Sequence, residues 1–294
     1  MSGAAELRIA GLVPLSTVDW PGRLTATVFC QGCPWRCTYC HNTAILDPTV
    51  PGQVPFSQVE ELLGRRRGLL DGVVFSGGEA TAQHALIPAA ARVREVGFAV
   101  GLHTGGAHPA RLRALLGVDR AGRRVGPALV DWVGMDVKAS PAGYAELVGS
   151  DAAAAKVEES LGILRDSGAA HELRMTVTPA LAGQVPEVLD LVGRQGGTSL
   201  VLQRAGRRGV ARLRRRARRG GGLARALRGD RGTGRGARGA VRRDGGRASL
   251  RQWSGNLDRA AQRRGFSRSL MTRWPPVGSV PTSAVPKAPD STRR

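Results

Sequence analysis

The sequence predicts an α/β protein: a partial (β/α)6 parallel barrel followed by a disordered, Arg/Gly-rich C-terminal tail. Three observations carry that reading. Six short apolar runs rich in β-branched residues recur at 24–29, 72–76, 98–103, 129–136, 172–178 and 198–203. Segments with helix signals separate them, the alternation expected where helical crossovers join the strands of one parallel sheet. After Gln203 the pattern stops and the charge changes abruptly. Residues 1–200 hold 18 Lys/Arg against 19 Asp/Glu, whereas residues 201–294 hold 26 against 4. The net charge of +21 therefore belongs to the tail, and the chain divides into a domain over 1–204 and a low-complexity basic segment over 205–294.

Taken in order, the first run (24–29) leads directly into a cluster of cysteines. Ser57-Gln58-Val59-Glu60 reads as a capping box, and Val59, Leu62 and Leu63 begin the apolar stripe of the helix behind it. Gly97 stops a second helix that starts near Leu86. Further helices are expected from Pro109, from about Ala153 to a stop at Gly168, and from Pro186 in a first turn to about Arg194. Residues 204–251 are almost entirely Arg, Gly, Ala, Leu, Val and Asp without helical or strand periodicity, which predicts disorder. In a parallel barrel, ligands sit at the C-terminal strand ends, so the residues there are the candidates for function.

No apolar run approaches the roughly 20 residues of a membrane span, and residues 1–10 lack the basic start and apolar stretch of a signal peptide. The chain is expected in the cytoplasm. All four cysteines fall within the eleven residues 30–40, whereas a disulfide framework spreads its cysteines over a small secreted domain. Cys33, Cys37 and Cys40 have the spacing C-x3-C-x2-C. Three thiolates on one loop can ligate three irons of a cubane cluster and leave the fourth iron open to a substrate, by analogy with open catalytic zinc sites. With Cys30 the set could instead close around zinc or an electron-transfer cluster, but the two pairs stand much closer than the paired knuckles of zinc ribbons. At a strand end, Cys30 reads as a small buried thiol.

The later strand ends add candidates. Gly77, Gly78 and Glu79 form a turn that lets backbone approach a ligand and offers carbonyl and carboxylate oxygens to an ammonium group. His103-Thr104-Gly105-Gly106 reads as a structural turn at least as readily as a ligand contact. Asp136 and Lys138 point to one side of their strand, either as a surface ion pair or as ligand contacts. Arg174 shares a face with Glu172, which suggests either a barrel-interior ion pair or an Arg fork for a ligand, and Gln203 is the polar end of the sixth run. In the tail, Arg214-Arg215-Arg216 and Arg218-Arg219 would meet phosphates, yet no aromatic residue interleaves before Trp253, so nucleic acid is not the favoured partner. Translation of a GC-rich gene out of frame yields the same composition with the same abrupt start.

Together, Thr17-Val18-Asp19-Trp20-Pro21-Gly22, Phe29-Cys30-Gln31-Gly32-Cys33 and Cys37-Thr38-Tyr39-Cys40-His41-Asn42 resemble the radical S-adenosylmethionine (SAM) enzymes that activate glycyl-radical enzymes. The resemblance covers about residues 8–204. It is narrowest for the anaerobic ribonucleoside-triphosphate reductase activating proteins, with pyruvate formate-lyase activating enzymes as near relatives. It implies a barrel of the radical SAM type and a [4Fe–4S] cluster on Cys33, Cys37 and Cys40. It also implies reductive cleavage of SAM to methionine and a 5′-deoxyadenosyl radical, with electrons from a flavodoxin or ferredoxin. The radical would be passed to a glycine of a large partner, anaerobic ribonucleotide reductase. For SAM itself, the resemblance implies contacts from Gly77, Gly78 and Glu79, with Gln83, to the amino group, from Tyr39 to the adenine, and from Asp136, Lys138 and Arg174 beside it. Two departures stand out: Ala80 replaces a usual proline, and Gly105 replaces the asparagine of Thr-Asn-Gly. A radical SAM enzyme with another substrate and a non-catalytic iron–sulfur carrier are the alternatives.

Overall fold

The computed structural model describes residues 3–205. The expectations for the tail lie outside the described residues. One sheet holds seven strands in sequence order, β1 (Ile9–Ser16), β2 (Thr25–Cys30), β3 (Gly72–Gly77), β4 (Ala99–Thr104), β5 (Trp132–Asp136), β6 (His171–Val177) and β7 (Val201–Arg204). From β2 to β7 every neighbour is parallel, whereas β1 runs antiparallel to β2. The six parallel strands are the six apolar runs. Crossovers carry α1 (Phe56–Arg65), α2 (Leu86–Glu95), α3 (Pro109–Leu116), the short α4 (Tyr144–Val148), α5 (Ala153–Ser167) and α6 (Val185–Arg194). Among the described residues, no helix is long and apolar enough to cross a membrane.

Strand alternation gives the sheet two unlike faces. Ala26, Val28, Val73, Phe75, Val100, Leu102, Val133, Met135, Leu173 and Met175 are buried against the helices, where Val59, Leu63, Leu86, Val93, Leu112, Leu161 and Val188 meet them. Each such Leu or Phe, fully removed from water, contributes about 1.5–3 kcal/mol. The intervening positions, Thr25, Thr27, Ser76, Gly101, His103, Gly134, Asp136 and Arg174 with the apolar Phe29, Val74 and Trp132, line the interior and are more polar. Parallel strands covered on both sides explain why every residue of β2 is buried.

Two local expectations need correction. The capping box at Ser57 does not form: α1 begins at Phe56 with Pro55 as an N-cap that makes no side-chain bond, and Ser57 is exposed inside the first turn. Phe56 is 3% exposed and shares the buried face with Val59 and Leu63, so core burial moves the helix start upstream. Glu60 instead accepts a hydrogen bond from Arg92 Nε at 2.6 Å. The second correction is to the set of six strands, which gains β1, where Gly11 and Pro14 interrupt the apolar run. Its Pro14 lies where the pairing register shifts between Val13 and Ser16, as is typical of proline in an edge strand.

Candidate active site

The cysteine loop leaves β2 and is held by backbone bonds on two sides. Gly32 N donates to Ile45 O at 2.8 Å and Cys33 N to Leu46 O at 3.0 Å, while Arg36 N donates to Val148 O at 2.8 Å and Thr38 N to Leu147 O at 3.1 Å. Cys33, Cys37 and Cys40 are half-buried on this loop, and Cys30 is fully buried in β2. Burial, and then the charge of Glu79, pushes the Cys30 and Cys33 thiols up to about 12. Burial also raises Cys37, against the pull of Lys138. Thiols so placed become thiolates when a metal supplies the positive charge. Among the described residues, no three His, Cys, Asp or Glu side chains already converge at metal-binding spacing. The fit rests on donor chemistry, three soft sulfur ligands on one short loop, and on an orphaned group beside them. The Tyr39 hydroxyl is buried without a hydrogen-bond partner, and burial raises its pKa. A cofactor with acceptor atoms would satisfy it.

The Gly77-Gly78-Glu79 turn is laced to the same loop. Gly78 N donates to Cys30 O at 3.1 Å and Glu79 N to Gly32 O at 2.9 Å. A Cβ on Gly78 would fall 2.2 Å from Gly32 O and 3.2 Å from Cys33 Cβ, so only glycine permits this approach. Glu79 is 2% exposed and heavily used. Its Oε1 accepts from Thr81 N (3.2 Å), Thr81 Oγ1 (2.5 Å) and Thr104 Oγ1 (2.7 Å), and its Oε2 accepts from Gly105 N (2.8 Å). With roughly four acceptor positions on a carboxylate, Oε2, which accepts one of these bonds, keeps acceptor capacity. Gln83 has another task. Its Oε1 accepts from Arg8 N at 2.8 Å and its Nε2 donates to Arg8 O at 2.8 Å and Gln31 O at 3.0 Å, which ties the start of β1 to the cysteine loop.

Asp136, Lys138 and Arg174 come together at the ends of β5 and β6. Lys138 Nζ lies 3.1 Å from Asp136 Oδ2, and Arg174 Nε lies 3.3 Å from Asp136 Oδ1. Burial works to raise the Asp136 pKa, but Lys138 and then Arg174 outweigh it and bring it down to about 2. Burial likewise works against the charge on Lys138, and Asp136 more than restores it, so its pKa stands well above the usual lysine value. His103 lies deeper. Its Nε2–H donates to Asp19 O at 2.7 Å and its Nδ1 accepts from Ser76 Oγ at 3.2 Å, an assignment drawn from the network. Arg174 Nη1 is 3.3 Å from that same Nε2, whose proton already points to Asp19, so it acts on the ring as a charge. Burial, then Arg174, lowers the His103 pKa to about 4. Asp19 also accepts from Thr27 Oγ1 at 2.5 Å. Gln203 lies in register with Thr176 on the last strand pair.

Sequence reasoning missed Trp35 and Tyr144. Trp35 is 3% exposed and Tyr144 fully buried, with ring centroids 6.2 Å apart. Tyr144 Oη accepts from Lys138 N at 2.7 Å. The one available signal was a tryptophan between two candidate ligands, in a loop where a solvated side chain would be expected.

A parallel α/β sheet with three half-buried thiols on the loop after its first parallel strand, and paired charges at later strand ends, has the donor chemistry of a metal-dependent or iron–sulfur enzyme. The family model of the radical SAM superfamily matches residues 27–192, and the chain belongs to that family. Its members work with a [4Fe–4S] cluster and SAM. Over 142 residues the chain is 35% identical to a protein of Methanocaldococcus jannaschii named as a glycyl-radical enzyme activating enzyme, covering 48% of this chain and 54% of that one. Over 104 residues it is 33% identical to the pyruvate formate-lyase-activating enzyme of Clostridium pasteurianum, covering 34% and 43%. The chain thus spans about half the length of these relatives. Streptococcus suis SuiB bound to SAM shares the fold, with a TM-score of 0.50 at 11% identity over 80% of this chain and 46% of that one.

Proposed function

We propose that this chain is a radical SAM activase that holds a [4Fe–4S] cluster on Cys33, Cys37 and Cys40 and installs a glycyl radical on a partner, anaerobic ribonucleotide reductase. One observation carries it: the cysteine loop is hydrogen-bonded to the Gly77-Gly78-Glu79 turn, so cluster ligands and an ammonium-binding surface share one rim. When bound, the cluster and SAM supply reductive cleavage of a sulfonium carbon–sulfur bond and a carbon radical able to take hydrogen from a glycine. The protein's part is placement and exclusion of water. Glu79 and the Gly77 and Gly78 carbonyls receive the amino group. Lys138 presents a fixed cation to carboxylate or ribose oxygens, and Asp136, kept ionised by Lys138 and then Arg174, holds it there. Tyr39 would serve the adenine. The electron comes from a flavodoxin or ferredoxin, and the setting is the cytoplasm, where thiols stay reduced. The chemistry belongs to residues 1–204.

Anaerobic reconstitution with iron and sulfide, followed by dithionite and SAM, tests this. The full chain should release 5′-deoxyadenosine and methionine, and Cys33→Ala should release neither. A cluster that forms without cleaving SAM would make the chain an electron carrier. Adding purified anaerobic ribonucleotide reductase should then produce a glycyl-radical EPR doublet. If that signal arises only with pyruvate formate-lyase, in line with the Clostridium relative, the partner assignment moves there.

A further inference from the structure

Trp35 stands between Cys33 and Cys37, and its neighbours Pro34 and Arg36 are exposed, yet Trp35 itself is 3% exposed. Its indole reaches three other elements. A Cβ built on Gly105 would fall 2.4 Å from the indole Cζ3 and 3.1 Å from Lys138 Cε, so Gly105 is the slot in which the ring and the lysine stem meet. On another side lies Tyr144, its ring tilted 58° to the indole. Tyr144 Oη accepts from Lys138 N, and the helix that Tyr144 opens ends in Leu147 and Val148. Those two carbonyls accept from Thr38 N and Arg36 N, which returns the chain of contacts to the cysteine loop. The absence of a side chain at position 105 is thereby explained: the indole fills that space.

We propose that Trp35 is a positioning residue, which seats the cysteine loop in the slot formed by Gly105, Lys138 and Tyr144 and so fixes the loop relative to Lys138. The proposal rests on the reading of Cys33, Cys37 and Cys40 as cluster ligands. A loop of this length is costly to order residue by residue, and burying one large aromatic side chain offsets that cost before any metal arrives. Metal affinity then gains by the ordering no longer required of it.

The test uses the full chain, without and with reconstituted cluster, and the variants Trp35→Leu, Gly105→Ala and the two combined. In the cluster-free protein, Trp35→Leu should speed hydrogen exchange at the Arg36 and Thr38 amides about tenfold and leave the strand amides of Leu102 and Met135 protected. After reconstitution, a chelator should strip its iron about tenfold faster than wild type, since the loop no longer holds its seated form. Gly105→Ala should cause the same loop symptoms, because its methyl has no room beside the indole. The double variant should exchange more slowly than either single one, since leucine vacates that volume. Unchanged exchange in Trp35→Leu, or additive rather than compensating effects in the double variant, overturns the proposal. So does loss of protection throughout the strands, which would make Trp35 a general core residue. A wild type that takes up no cluster would sink the functional reading alone, because the exchange arm still decides whether Trp35 seats the loop.

Discussion

The floor and the rim of the barrel interior are built from opposite materials. At the floor, where the parallel strands begin, Trp20 stacks on Trp132 with centroids 5.5 Å apart and planes 15° apart, and His103, from near the end of β4, meets Trp132 edge-on from the rim side at 5.7 Å. Gly101 leaves room for the Trp20 ring, and Trp20 is carried there by a turn in which Arg23 N donates to Trp20 O. At the rim, Asp136 is shared between two cations, and a buried hydroxyl on Tyr39 has no partner. The floor is apolar burial, which stabilises. The rim gathers half-buried charges, an arrangement that adds little to stability and is commonly retained for chemistry. Mutations should therefore separate: floor variants lower stability, and rim variants alter chemistry.

The largest expected effect is at the floor. Trp132→Ala should cost about 3–5 kcal/mol, read as a lower denaturation midpoint. Trp20→Ala should cost nearly as much, and the pair should be non-additive by about 0.5–1.5 kcal/mol, the direct worth of a stacked aromatic pair. A Trp132→Ala protein with an unchanged midpoint would break the contrast at its stronger end.

The rim predicts a smaller effect with a pH signature. Removing one member of a buried ion network costs at most about 3–5 kcal/mol. Asp136→Asn should fall below that range, because 31% of the Asp136 side chain remains accessible and water screens the cations left behind. Since Asp136 is held near 2, its contribution stands in full above the unfolded carboxylate value of about 4 and fades as pH drops from there toward 2. Denaturation of wild type should show that acid slope, and Asp136→Asn should show a shallower one. His103 acts higher on the scale. It is kept neutral down to about 4 when folded but protonates near 6.5 when unfolded, so stability should fall between those values as pH drops. His103→Gln should flatten that interval, and an unchanged profile would mean the ring does not carry it.

The floor and rim differ also in how legible they were. All six parallel strands announce themselves through apolar runs, and the stops at Gly97 and Gly168 are local events that a sequence displays. The cysteine spacing is equally local. What escaped depends on distant contacts. The first strand is hidden because Pro14 and Gly11 weaken its pattern and only pairing with β2 makes it a strand. Ser57 offered a good cap, but the burial of Phe56 decided where the helix starts. Trp35 belongs with Gly105 and Tyr144, each about 70 or more positions away, and no periodicity links them. The bonds of Gln83 to the backbone of Arg8 and Gln31 were likewise illegible, because backbone partners leave no trace in side-chain identity.

The smallest expected effect bears on where the rim ends. Cys30 is the last residue of β2, three positions before the first proposed ligand, and could be counted with the rim on sequence alone. Alternation places it on the helix-facing side with Ala26 and Val28, and it is 0% exposed within that apolar cluster. Burial pushes its thiol up to about 12, and no cation is among the groups acting on it, whereas Lys138 acts on both Cys33 and Cys37. Cys30→Ala should therefore behave as a core truncation of a single sulfur atom, costing about 1 kcal/mol. Iron content after reconstitution and the yield of 5′-deoxyadenosine should match wild type. If the iron count collapses instead, all four cysteines close the shell, no iron is left open for SAM, and the boundary between a stabilising strand and a reactive loop lies three residues earlier than the alternation places it.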